Sequence, residues 1–276
     1  MKNNENVDIF IYSHKPFTPI VDNQVYKVLT NCHEKDYKFH TKLKILRDYD
    51  GEDNLSDKNL MYNEYSGFYW LWKNYPLKDY IGMNHYSRMY AWLNNVPDID
   101  EIFKTKKMIL NQPVDFNIPY WQQFLKPEDR ASNEVWYRYW HNINDFNLLR
   151  DVIKDLFPEY MDGFEKMAKV PYCYNSSMFI MKKDDFTTYC DFIFPVLEEI
   201  CKRRGYKTSD DCRQWVQDHK EEYIKAKNGY YDVEMQSRIV GYLAERAMNA
   251  YIMHDGDNSL EKNSLIVPWF NVPKIQ

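Results

Sequence analysis

Along the chain, apolar runs of strand length alternate with longer segments of helical spacing. The run VDIFIY from Val7 to Tyr12 predicts a first strand buried on both faces, left through the polar loop Ser13-His14-Lys15-Pro16. Leu43 to Leu46 predicts a second strand, which enters the polar turn RDYDGEDNLSDKN at 47–59. Met61, Tyr65, Phe68 and Trp72 then recur at helical spacing through LMYNEYSGFYWLWKN, with Asp57 or Asn59 placed to cap that helix and Pro76 to end it. A further strand rises through Ile81-Gly82-Met83 and stops abruptly in Asn84, His85, Tyr86, Ser87 and Arg88.

Asp98, Asp100 and Glu101 suit a helix start, and Lys107 to Leu110 predicts a strand. The stretch WYRYWHNINDFNLLRDVIKDLF predicts one or two helices stopped by Pro158, and Tyr174 to Met181 a late strand. Phe186 to Arg204 follows as an amphipathic helix despite Pro195, and 205–230 reads as an exposed excursion. Asp232 to Met253 predicts one long helix. Strands alternating with helices indicate an α/β fold with a mainly parallel central sheet flanked by helices and a helix-rich C-terminal half. No linker or composition shift divides 1–276, so a single domain is expected.

Composition narrows the chemistry. A net charge of −5 over 276 residues argues against a general nucleic-acid binder, so no nucleic-acid partner is expected. Aromatic residues reach 17%, led by 24 Tyr, enough to fill a core and still line a sugar-binding cleft. With 8 Gly and neither GxGxxG nor GxxxxGK[ST], a glycine-rich phosphate cradle is absent, and side chains or a metal must neutralise any bound phosphate. Cys32, Cys173, Cys190, Cys201 and Cys212 form no CxxC pair and read as free thiols of a reducing compartment. The first apolar run is too short for a signal peptide, and no run of about 18 apolar residues occurs. The expected location is cytoplasmic, with peripheral contact at the inner face of the plasma membrane left open.

In a parallel sheet, ligands bind beyond the carboxyl ends of the strands. Ser13, His14 and Lys15, the 47–59 turn and Asn84 to Arg88 are therefore expected around one crevice. Arg88 supplies a planar fork of donors for a diphosphate, and His85 a hydrogen bond or a charge. Asp48-Tyr-Asp50, Asp98-Ile-Asp100 and Asp255-Gly-Asp257 have the spacing of metal-binding pairs. Capping explains the second and a turn the third, while the first leaves a divalent cation, magnesium or manganese, open without assigning any metal ligand. On the long helix, Arg238, Tyr242, Glu245 and Asn249 share one stripe. If that stripe faces the crevice, Glu245 is a candidate general base with Asp232 in reserve, and Arg238 or Arg246 binds charge. No HExxH or GxSxG occurs, and His141 among its rings reads as packed.

The ordered blocks YSHKPF (12–17), DGEDNLSDKN (50–59), YNEYSGFYWLWKN (62–74), YIGMNHYSRMY (80–90), NSSMFIMKKDDFTTYC (175–190) and RIVGYLAERAMNAYI (238–252) resemble the DUF4422 family of bacterial capsular and O-antigen polysaccharide glycosyltransferases. The resemblance implies a GT-A-like fold and sugar transfer from a nucleoside diphosphate, in some members from UDP-galactofuranose, to a polysaccharide or lipid-linked glycan. It supports His85 and Arg88 at the diphosphate and Asn54, Lys58 and Asn59 near the donor. Ser13, His14, Lys15 and Tyr86 join them as nucleotide-sugar contacts from their places at strand ends, and Asn175, Arg238, Tyr242 and Arg246 are candidates for the sugar or acceptor. The family's usual HYRRY stands here as HYSRMY, with Ser87 in place of one Arg, and its NMFIM as NSSMFIM. A non-catalytic glycan-binding or nucleotide-sugar-binding protein of polysaccharide assembly is the alternative function, and a nucleotide-sugar hydrolase a third.

Overall fold

Seven consecutive buried residues form β1 (Val7–Ser13), which has a parallel neighbour on each side. A strand covered on both faces needs this unbroken apolar run. The computed structural model describes residues 4–33, 40–126, 129–226 and 231–272, without the side chains of 225 and 226. After β1 come β2 (Tyr26–Thr30), β3 (Lys44–Arg47), β4 (Tyr80–His85) and β5 (Arg88–Tyr90). Then follow β6 (Met108–Asn111), β7 (Val114–Asp115), β8 (Tyr172–Cys173), β9 (Phe179–Lys182), β10 (Ser264–Val267) and β11 (Trp269–Asn271).

The main sheet runs β10-β6-β9-β4-β1-β2-β3. Only β9 opposes its neighbours on that path, so the sheet is mainly parallel, as expected. A tight antiparallel hairpin folds β5 back from β4, and β11 adds to its other edge. The period of two sorts the side chains: Phe10, Tyr12, Met83, Leu110 and Phe179 face one core, while Ile9, Ile11, Ile109 and Ile180 face another. The first core is roofed by the helices Tyr65–Asn74, Lys183–Arg204 and Ile239–Met253.

Several expectations are corrected. β2 was not expected between the first two predicted strands, because Lys27 interrupts its apolar pattern. Its ammonium pairs with Asp8, which is fully buried and also bound by Lys78 at 3.0 Å and by the Tyr75 hydroxyl at 2.7 Å. The late strand begins at Phe179 rather than Tyr174, because Ser176 and Ser177 take φ of 69° and 48° and break the extended run. The expected excursion at 205–230 instead holds the helices Ser209–Asp218 and Lys220–Ala226, anchored by buried Cys212, Val216 and Tyr223. All five cysteines are free and buried.

Two predicted helices are each broken in two. The first divides into Asn59–Tyr62 and Tyr65–Asn74 at Asn63, whose φ is 55°. Neither Asp57 nor Asn59 caps it. The last divides into Val233–Gln236 and Ile239–Met253 around Ser237 and Arg238. The breaks meet: Arg238 Nε donates to Asn63 Oδ1 at 2.7 Å. Gly241 lets them approach, since a Cβ there would lie 1.9 Å from Asn63 Nδ2. Among the described residues, no helix is long and apolar enough to cross a membrane.

Candidate active site

The polar tails meet at the carboxyl end of the sheet. A cavity of about 200 Å³ is lined by His14, Asn59, Asn63 and Arg238. A wider one, of about 550 Å³, shares His14 and Asn59 and extends to Asn31, His33 and Asp57. A further hollow, lined by Asn4, Lys78 and Asn95, lies at the strands' amino ends, away from this chemistry.

Ser13 shapes the first tail rather than facing a ligand: its buried hydroxyl donates to Lys15 O at 2.5 Å and accepts from Lys15 N at 3.2 Å. That turn sends His14 and Lys15 outward, with the Lys15 ammonium 5.1 Å from the Tyr86 ring centre and His14 edge-on to the same ring at 5.6 Å. In the third tail, His85 Nδ1 accepts from Ser87 N at 3.2 Å, and Ser87 Oγ lies 2.8 Å away. An N–H aimed at Nδ1 requires that nitrogen to be bare, so the ring carries its hydrogen on Nε2. Burial, then Arg88, His14, Arg238 and Lys15, push the His85 pKa down to about 3. His85 is therefore a neutral donor, not the cation it could have been. His14 keeps an open face, but crowding of its ring, then Arg238 and Lys15, lower its pKa to about 4.

Geometry brings the five groups together: His14 and Arg238 line one cavity, His14, Lys15 and His85 lie against the Tyr86 ring, and Arg88 stands opposite His85 in the hairpin. The contacts of the three permanent cations are with neutral groups: Lys15 with a ring, Arg88 with Ser176 Oγ and the Trp269 ring at 5.7 Å, Arg238 with an amide oxygen. None of the three makes an ion pair with a described carboxylate. At the amino end, by contrast, two lysines share buried Asp8.

Two carboxylates face the cations across a strained turn. Ser176 N donates to Glu245 Oε1 at 2.8 Å, Ser177 Oγ lies 2.9 Å from the Tyr65 hydroxyl, and Glu64 sits close enough to Glu245 and Arg238 to feel both charges. Consecutive serines in the left-handed region are strained, and such strain gathers at functional sites. Burial, and then the negative charge of Glu245, raise the Glu64 pKa to about 7, while Arg238 opposes the rise. Glu64 escaped the sequence reading because it sits inside an apparently continuous helix, where a lone carboxylate reads as solvated. The break at Asn63 turns it inward.

Other candidates make their contacts within the chain. Asp232 caps the helix Val233–Gln236, accepting from Met235 N at 3.1 Å, so its carboxylate already serves the chain. Arg246 lies in the interior with Nη1 3.4 Å from Glu245 Oε2. Tyr242 lies tilted against His141, ring centres 4.3 Å apart, and beside Arg238 at 5.8 Å. Asn175 O accepts from Asn111 Nδ2 at 3.3 Å, next to the strained serines. Asn54 closes its own turn through Gly51 O and Ser56, and Lys58 exerts its charge on the buried Cys201 thiol. Asn59 donates to Tyr12 OH at 2.5 Å and Ser66 Oγ at 2.9 Å, so its amide belongs to an internal network.

Asp48 anchors that network: Tyr12, Ser66 and Asn31 donate to it at 3.0, 2.7 and 2.8 Å, and burial raises its pKa. With both oxygens held, Asp48 does not pair with exposed Asp50 as a cation site. Among the described residues, no three His, Cys, Asp or Glu side chains group as metal ligands.

A profile of the family described as "Domain of unknown function (DUF4422)" matches residues 8–225. Among solved structures, the chain is similar to the apo form of the bifunctional glycosyltransferase WbbM, with a TM-score of 0.70 and 20% identity. The alignment covers 97% of this chain and 45% of that one, so the chain spans less than half of WbbM's length. At this identity the likeness establishes the fold. No curated protein matches the chain.

Proposed function

This chain belongs to the DUF4422 family, and from that premise we propose that it transfers a sugar from a nucleoside diphosphate to a glycan hydroxyl. The observation that carries the reading is the convergence of Lys15, Arg88 and Arg238 around His14 and His85, none in an ion pair with a described carboxylate, with Glu245 held by Ser176, the residue whose hydroxyl Arg88 binds. Cations held together in a partly buried crevice repel one another, and an anionic ligand relieves that repulsion. A diphosphate suits the guanidinium forks, and the imidazole Nε2–H adds a neutral donor. Similarity to a glycosyltransferase fold supports the same class. UDP is the proposed nucleotide and UDP-galactofuranose a proposed donor; a cell-surface polysaccharide or lipid-linked glycan is the proposed acceptor. Peripheral contact with the inner membrane would follow from such an acceptor.

In the reaction, a carboxylate takes the proton of the acceptor hydroxyl as its oxygen bonds to the sugar's anomeric carbon. The bond from that carbon to the diphosphate breaks, and the electron pair leaves with the diphosphate, where Arg88, Arg238 and Lys15 stabilise the added charge. Glu64 fits the base role, because a carboxyl that ionises near pH 7 is matched to proton transfer there. Glu245, held by Ser176 N, tunes it.

The test is calorimetric titration with UDP and UDP-sugars, followed by mass spectrometry of products. Arg88→Ala should lower transfer by roughly 10²–10³-fold while shifting Tm little, since that side chain is half-buried at the start of the short strand β5. A wild-type protein that gives no saturable heat with any of these nucleotides would refute the transferase reading.

A further inference from the structure

The segment 112–124 leaves the end of β6, lies beside the site at its first residue and is linked to it through a relay of rings at its last. Trp269 Nε1 donates to Gln112 O at 2.8 Å, and the Arg88 guanidinium lies 5.7 Å from the centre of that indole. At the far end, Phe124 lies 5.8 Å from the Trp140 ring. The Trp140 carbonyl accepts from Gln236 at 2.9 Å, and the next residue, His141, lies tilted against Tyr242 beside Arg238.

Between these ends the chain turns apolar side chains outward. Ile118 is 45% exposed, Tyr120 59% and Phe124 38%, and the short helix Pro119–Gln122 buries none of its residues. Rings and amides alternate here: Gln122 and Gln123 each use one Nε2–H on a backbone carbonyl, Phe116 O and Tyr120 O, both at 2.7 Å. Those bonds orient the amides and leave an oxygen and a second N–H of each for another partner.

We propose that this rim, built by Ile118, Tyr120 and Phe124 with the amides of Gln122 and Gln123, is a subsite for the sugar units of an acceptor glycan. The inference rests on the transferase reading for its place in the reaction, but on the rim's own chemistry for its ligand. A sugar ring has an apolar C–H face and a hydroxyl edge, which match an exposed aromatic ring and a fixed amide. A membrane surface would instead call for clustered cations. The charges at hand are mixed rather than clustered: exposed Lys126 and Arg130 follow Phe124, but Arg138 is paired with Asp129 at 2.8 Å, and Asp115 lies on the same segment. The Gln112 end, against Trp269 and so beside Arg88, gives the direction in which the terminal hydroxyl of a bound chain would approach the crevice.

The test compares wild type with Tyr120→Ala/Phe124→Ala, and with Tyr120→Phe/Phe124→Tyr, which keeps the rings. The probes are gluco- and galacto-oligosaccharides of two to six units, followed by tryptophan fluorescence, and UDP, followed by thermal shift. The expected result is saturable oligosaccharide binding, weakened at least tenfold in the alanine variant, restored in the ring-preserving one, with the UDP response unchanged in all three. Absence of binding to every oligosaccharide, or equal affinity in the alanine variant, overturns the proposal. So does ring-dependent flotation with phosphatidylglycerol vesicles, or ring-dependent dimerisation, in place of sugar binding. Oligosaccharide binding without any UDP response would keep the rim as a glycan site and defeat the transferase reading instead.

Discussion

Glu64 and His85 depart from their ordinary ionisation in opposite senses, and both departures have consequences for pH. With its pKa near 7, Glu64 stays protonated in the folded chain over a range where the unfolded chain has already released that proton. Stability therefore falls as pH rises from the usual glutamate value to about 7, and the penalty is complete above that. Glu64→Gln should remove the penalty, raising Tm at pH 8 by roughly 5–10 °C and leaving it unchanged at pH 4. The same variant should lose transfer by roughly 10²–10⁴-fold, together with the rise of wild-type rate through pH 7. Equal Tm differences at both pH values would show that the carboxyl is not buried as described. His85 titrates the other way: with a folded pKa near 3, it stays neutral where the unfolded imidazole takes up a proton. Its contribution is whole above about pH 6.5 and shrinks as pH falls toward 3. The ring's Cε1 proton shift should accordingly stay flat from pH 8 to 5; a midpoint near 6 would return a cation to the site. None of these shifts is visible in HYSRMY or YNEYS, because a pKa follows the surroundings and not the neighbours in sequence.

At the level of elements, the breaks in two helices do more than their continuous portions. Asn63 holds Arg238 only because the chain turns at both places, and Gly241 supplies the clearance. Gly241→Ala should displace the Asn63 amide and release the guanidinium. The expected outcome is a loss of about 1–3 kcal/mol in chemical denaturation and a UDP affinity at least tenfold weaker. Unchanged UDP affinity in a destabilised protein would separate the helix contact from ligand binding. Hydrophobic spacing foretold helices at 60–74 and 232–253 but not their breaks. The apolar stripe runs through both, and Asn63 and Ser237 carry no strong breaker signal.

Across the whole molecule, the C-terminal helices are tied to the core by a buried charge. Asp145 is fully buried, bound by Arg204 Nη2 at 2.7 Å and the Tyr223 hydroxyl at 3.0 Å, and burial raises its pKa to about 6 despite Arg204. Arg204→Met strips the buried carboxylate of its cation and should cost about 3–5 kcal/mol by urea denaturation at pH 8. A loss below about 1 kcal/mol would mean that water reaches Asp145. The sequence by itself determined the α/β architecture, the buried strands β1 and β4, and the end of the sheet where His14, Lys15, His85 and Arg88 lie. Those features follow from local periodicity, which solvent exclusion acts on directly. Only the tertiary structure decided that Arg238 joins them, that Glu64 faces Glu245, and that Asp48, Asn59 and Asp232 hold the scaffold. Such pairings join residues far apart in the chain, and their chemistry depends on burial and distance, which one-dimensional spacing does not carry.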